Sequence, residues 1–238
     1  MTEQKLDEFV QRMRSAAPNN LKSIVLYGSA ATGEFHEGHS NVNLLCLVES
    51  GDPARLEPFH STVEWWIGKG HPAPLIFTLD ELRRSADIFA IELLDMQARH
   101  KTLFGEEFLA GIAVPLRYHK LQVERELRAN WLRLRQTFLA APRKAHLDVM
   151  VVAASSFNTL FRHALTALGE AAAQNKREAI ERVAKLTGAD AAGFLTVLDF
   201  REKKKNEKDV DVAATARSYF ALVEAVTDEV DRRLETLS

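Results

Sequence analysis

The chain has 238 residues, with 31 Lys plus Arg against 33 Asp plus Glu and a formal net charge of -2. Hydrophobic residues at 46% and charged residues at 27% describe a globular chain and exclude one that is disordered throughout. The near-zero charge balance gives no global attraction to nucleic acid, and a single cysteine, Cys46, excludes an internal disulfide and any zinc-finger spacing.

Leu6, Phe9, Val10 and Met13 recur at helical spacing, which predicts an amphipathic helix over residues 4–16, ended near Pro18-Asn19-Asn20. Ile24-Val25-Leu26-Tyr27 is a short apolar run stopped by Gly28 and reads as a buried strand. A loop rich in Gly, Ser and His follows. Residues 42–48 form the next strand, with Asn43, Leu45 and Leu47 on one face and Val42, Leu44, Cys46 and Val48 on the other. Both faces are mostly apolar, so this strand is expected to be covered on both sides. Residues 53–68 read as one helix carrying Leu56, Phe59, Val63 and Trp66 inward, and residues 74–78 as a third strand. Leu79-Asp80-Glu81-Leu82 starts a helical turn, and residues 99–104, stopped by Gly105, read as an edge-like fourth strand.

After Pro115 the pattern turns helical. Leu127, Trp131, Leu134 and Phe138 share one stripe. Residues 147–168 are apolar nearly all round, residues 176–186 form a shorter amphipathic helix closed by Gly188, and Tyr219, Val223, Val226, Val230 and Leu234 stripe a long last helix. The expected organisation is an α/β domain over residues 1–113 and an all-α bundle of about four or five helices over residues 114–238. The longest apolar run, residues 149–154, is far too short to span a membrane, and the polar, acidic first eight residues are unlike a secretory signal. With one cysteine, these features predict a cytoplasmic protein that does not enter a membrane.

The informative stretch is Leu26-Tyr27-Gly28-Ser29-Ala30-Ala31-Thr32-Gly33, followed by Ser40-Asn41-Val42-Asn43-Leu44-Leu45. A strand ends in Gly-Ser, and a second strand then opens with polar residues at i and i+2. This resembles the nucleotidyltransferase superfamily, in particular the small and kanamycin-type enzymes, over roughly residues 20–112. Leu103-Phe104-Gly105-Glu106 resembles the close of such a domain. The resemblance implies a mixed-sheet α/β domain, a helical domain behind it that helps hold the acceptor, and a ligand cleft between the two. It implies that Gly28 admits a phosphate close to the backbone and that Ser29 offers an N–H and a hydroxyl. In the family, two Asp at i and i+2 hold two magnesium ions, which carry the triphosphate and activate the acceptor hydroxyl.

Here those two positions are Asn41 and Asn43. An amide lends a carbonyl oxygen to a cation but no negative charge. The strand expected to supply a further carboxylate, residues 74–78, holds none, and Glu49 lies about 20 Å from Asn43 along an extended strand. The sequence therefore predicts a degenerate nucleotidyltransferase, a pseudoenzyme that binds a nucleotide, at Gly28, Ser29, Asn41 and Asn43, or else a protein partner, without transfer and without a metal. Two other readings stand beside it. One is an active enzyme using magnesium and ligands such as Glu34 or Glu37. The other is a homodimeric interaction module built on the apolar helices.

His36 and His39, with Glu34 and Glu37, could form a substitute metal site, but their spacing fits no standard zinc pattern. Lys203, Lys204 and Lys205, within a basic stretch over residues 201–208, could neutralise phosphates or touch nucleic acid; such a charge run is more often a solvated connection, and no nucleic-acid signature accompanies it. The Arg-then-His spacing of helical nucleases is absent from the second half, its one match being Arg55 and His60. Cys46 reads as a buried inert thiol, and Trp65-Trp66 as a packing anchor.

Overall fold

The computed structural model describes residues 3–31 and 42–235, which divide into two compact units, Met1–Leu116 and Arg117–Ser238. In the first unit, helix α1 (Glu3–Ala16) buries Leu6, Phe9 and Met13. Four strands follow: β1 (Leu21–Tyr27), β2 (Asn43–Val48), β3 (Leu75–Thr78) and β4 (His100–Gly105). Their order is β3-β2-β1-β4. β1 pairs antiparallel with β2 and β4, while β2 pairs parallel with β3. A parallel pair needs a crossover, here α2 (Pro53–Leu56) and α3 (His60–Gly68).

The expected single helix over residues 53–68 is broken. A 3₁₀ turn, Glu57–Phe59, separates its two parts. Pro58 lacks the N–H that a continuous helix would use, and its ring crowds the preceding turn. Asp52 caps α2 by accepting from the Ala54 N–H at 2.9 Å.

Both sheet faces are covered, as the mixed pattern of β2 predicted. On one face Leu6, Phe9 and Met13 pack with Ile24, Leu26, Leu44, Cys46, Val48, Phe59 and Trp66. On the other, Val25 and Leu45 pack with residues of α4 (Leu79–Arg84), α5 (Ala90–Ala98) and the segment after β4, including Leu82, Leu93, Met96 and Leu109. A reciprocal cap starts α4: Thr78 Oγ1 accepts from the Glu81 N–H, and Glu81 accepts from the Thr78 N–H at 2.8 Å.

The second unit contains five α-helices among the described residues: α6 (His119–Ala140), α7 (His146–Ala167), α8 (Lys176–Thr187), α9 (Ala192–Arg201) and α10 (Val212–Glu235). Its core centres on α7, whose Phe157 and Phe161 meet Phe194 of α9; the Phe194 and Tyr219 rings stack at 3.7 Å. Gly193 lets α9 approach α10 so closely that a Cβ there would strike the Tyr219 backbone nitrogen. Gly188 ends α8 in the left-handed conformation, φ 71°, as its position predicted.

The fold class expected from the sequence is therefore the one observed: an α/β domain with a mixed sheet, followed by an all-α bundle.

Candidate functional site

The candidate site lies where β1 stops and β2 begins. Gly28 follows Tyr27 with φ +78°, a conformation a side chain disfavours. Its N–H donates to the Arg99 carbonyl at 3.1 Å. Tyr27 is paired with Asn43 on β2 and with His100 on β4. Cross-strand partners share a face, so His100, Tyr27 and Asn43 form a polar row across three strands. A Cβ at Gly28 would lie 3.5 Å from Asn43 Nδ2. The structure thus brings together Gly28 and Asn43, two of the predicted binding residues. Ser29 lies in the 3₁₀ turn Gly28–Ala31, and its side chain is outside the described part. Asn41, Glu34, His36, Glu37 and His39 also lie outside the described residues.

Burial, and then the Glu92 carboxylate, push the Tyr27 phenol up to about 12, so it remains protonated at neutral pH. The His100 ring is held from both sides: Nδ1 is 2.9 Å from the Met96 carbonyl oxygen and Nε2 is 3.2 Å from Glu107 Oε1. Glu107 also accepts from the Leu109 N–H at 2.8 Å. Tyr27 and His100 escaped the sequence reading because their proximity is set by strand register, not by spacing.

Among the described residues, the side chain at the second motif position is by itself a poor magnesium donor. Asn43 offers one neutral carbonyl oxygen, whereas magnesium rests on carboxylates and phosphate in octahedral geometry. On β3, Leu75 and Phe77 pair with Leu45 and Leu47 and so share the Asn43 face; both are apolar. Glu49 is engaged elsewhere by Lys22, at 2.6 Å, and that hydrogen bond holds its carboxyl below the ordinary range. Among the described residues no group of three or more His, Cys, Asp and Glu could hold a metal ion.

The basic stretch belongs to the second unit, where it closes α9. The Lys203 and Lys204 N–H groups donate to the Phe200 and Asp199 carbonyls, at 3.0 and 2.8 Å, with Lys203 left-handed at φ 59°. This is the Schellman arrangement. Lys204 Nζ pairs with Glu202 at 2.6 Å, and Lys205 Nζ donates to Thr196 Oγ1 at 3.4 Å. Cations at this end also complement the helix dipole. Cys46 is fully buried, and burial pushes its thiol up to about 12.

No protein-family model matches the chain, and no curated protein matches it. Among solved structures, a spectinomycin adenyltransferase from Enterococcus, determined with ATP and spectinomycin, superposes with a TM-score of 0.59 at 13% identity, covering 95% of this chain and 99% of that one. A toxin–antitoxin structure with AMP-PNP gives a TM-score of 0.33 at 21% identity over 53% of this chain and 94% of that one. The first likeness shows the fold alone, an α/β domain followed by a helical region, which this chain shares with that adenyltransferase. No helix of the described residues is long and apolar enough to cross a membrane.

Proposed function

We propose that this chain is a nucleotide-binding protein on a nucleotidyltransferase fold, which takes ATP-type ligands without magnesium and transfers no nucleotide. The observation that carries the reading is the Asn43 amide beside Gly28. A carboxylate there would attract a cation and repel phosphate; an amide presents an N–H₂ donor to phosphate and leaves a cation uncompensated. Asn41, two residues earlier, has the same side chain. The apolar Leu75 and Phe77 on the same face support the loss of metal chemistry, and the ATP held by the structurally similar adenyltransferase supports a nucleotide as ligand.

Pyrophosphate release from ATP and magnesium tests the loss of transfer. The wild-type chain is expected to release none. Release that a chelator stops would overturn the reading and favour an active enzyme with Glu34 or Glu37 as ligands. The double variant Asn41→Asp with Asn43→Asp is expected to convert metal-independent binding into magnesium-dependent binding.

A further inference from the structure

A groove of about 510 Å³ opens in the first unit beside the end of α1. Leu21, one of its residues, opens β1, and Gly28 follows the end of that strand, so about 20 Å of extended chain separates the groove from Gly28. Gln11, Arg14 and Ser15 line it from one face of α1, and Pro18, Leu21 and Phe104 complete it. The Arg14 guanidinium lies over the Phe104 ring at 4.7 Å. The ring takes one face of the cation and leaves the N–H groups, which point outward in its plane, without acceptors: among the described residues Arg14 meets no carboxylate and no carbonyl. Arg12, two residues earlier, shows the completed arrangement: it lies over Trp65 at 4.5 Å and also donates to Glu8 at 2.7 Å. The helix dipole favours a cation in the last turn of α1, but it does not require one held against an aromatic ring in a groove.

We propose that this groove binds a small organic monoanion, a carboxylate carried on an apolar body, with the carboxylate paired to Arg14 and the body against Pro18, Leu21 and the edge of Phe104. The volume suits a small ligand, whose sites span about 300–1,000 Å³. A planar guanidinium with free N–H donors matches the two oxygens of a carboxylate. Gln11 and Ser15 add hydrogen-bonding groups at the rim. The described lining residues include one cation and no acid, so one negative charge balances the groove and a cationic ligand is disfavoured. A triphosphate would set several charges against that single arginine, and a neutral apolar ligand would cover its donors without satisfying them.

The test titrates the full chain at neutral pH with 2-naphthoate and with 2-naphthamide, its uncharged counterpart, by isothermal calorimetry. The acid is expected to bind at least about tenfold more tightly, the effect of one charge-assisted hydrogen-bonded pair. Arg14→Gln is expected to erase that difference, and Arg14→Lys to restore part of it, since an ammonium keeps the charge but not the planar fork. Arg12→Gln, on the same helix, is expected to leave it unchanged. Arg14 is exposed, so its variants are expected to keep the circular dichroism spectrum of the wild type. Backbone amide shifts in the two-dimensional NMR spectrum are expected to centre on residues 11–21 and on Phe104. Equal affinity for the acid and the amide, a difference that survives Arg14→Gln, no binding of the acid, or shifts centred on Gly28 overturns the proposal.

Discussion

The side-chain amide of Asn43 comes to 3.5 Å from the point where a Cβ on Gly28 would sit. That is ordinary contact distance, so an alanine at 28 fits in space and is strained only by its φ of +78°. Gly28→Ala is therefore expected to lower stability by about 1 kcal/mol and, because the methyl fills the approach to the amide, to weaken binding of an ATP analogue. Urea unfolding and calorimetry on one preparation check both effects. Unchanged affinity would remove Gly28 from the binding site.

Gly105 offers a contrast. Its φ is also +78°, but its Cβ would fall onto the Lys22 carbonyl oxygen, which is backbone in the sheet. Gly105→Ala is expected to cost about 3 kcal/mol or more, since the β1–β4 ladder must shift. Comparing the two alanine variants by denaturant midpoint separates conformational strain from collision.

A histidine pair makes the helical unit sensitive to acid. His119, at the start of α6, and His163, on α7, are buried and hydrogen-bonded ring to ring at 3.0 Å. Burial first, and His163 second, lower His119 to about 4. An unfolded chain holds the same group near 6.5. Between these values the unfolded state binds a proton that the folded state refuses, so stability falls as pH drops from about 6.5 to about 4 and levels below. The loss is on the order of 2 kcal/mol. His119→Gln is expected to flatten this part of the pH profile. A wild-type profile parallel to the variant's would contradict it.

Lys203 occupies a helix-closing position that glycine usually fills. Lys203→Gly is expected to raise stability by about 0.5–1 kcal/mol by relieving the left-handed backbone. If Lys203 instead serves a phosphate, the same variant loses ATP-analogue affinity; the intrachain contacts of this segment predict that it does not.

The Cys46 thiol, fully buried and pushed up to about 12, is expected to resist a disulfide reagent in the native protein and to react at once in denaturant. Rapid native labelling would show that β2 opens.

Much of this was legible in the residues. Gly28 marked the end of β1, the alternation of Asn43, Leu45 and Leu47 gave the face of β2, and Gly188 marked the end of α8. What stayed hidden depended on local competition or on distance. Pro58 divides an apolar pattern that spacing alone runs together. Helices α5 and α9 are short and apolar on several sides, so they show little periodicity. The rows Tyr27–His100 and His119–His163 join residues far apart in the chain, and only strand register and helix packing bring them together.

The most direct measurement of the central claim is a calorimetric titration with a non-hydrolysable ATP analogue, run once with magnesium and once with chelator. The same affinity is expected in both runs if, as proposed, the Asn43 amide meets phosphate directly. Binding that requires magnesium, or no binding in either run, would contradict it.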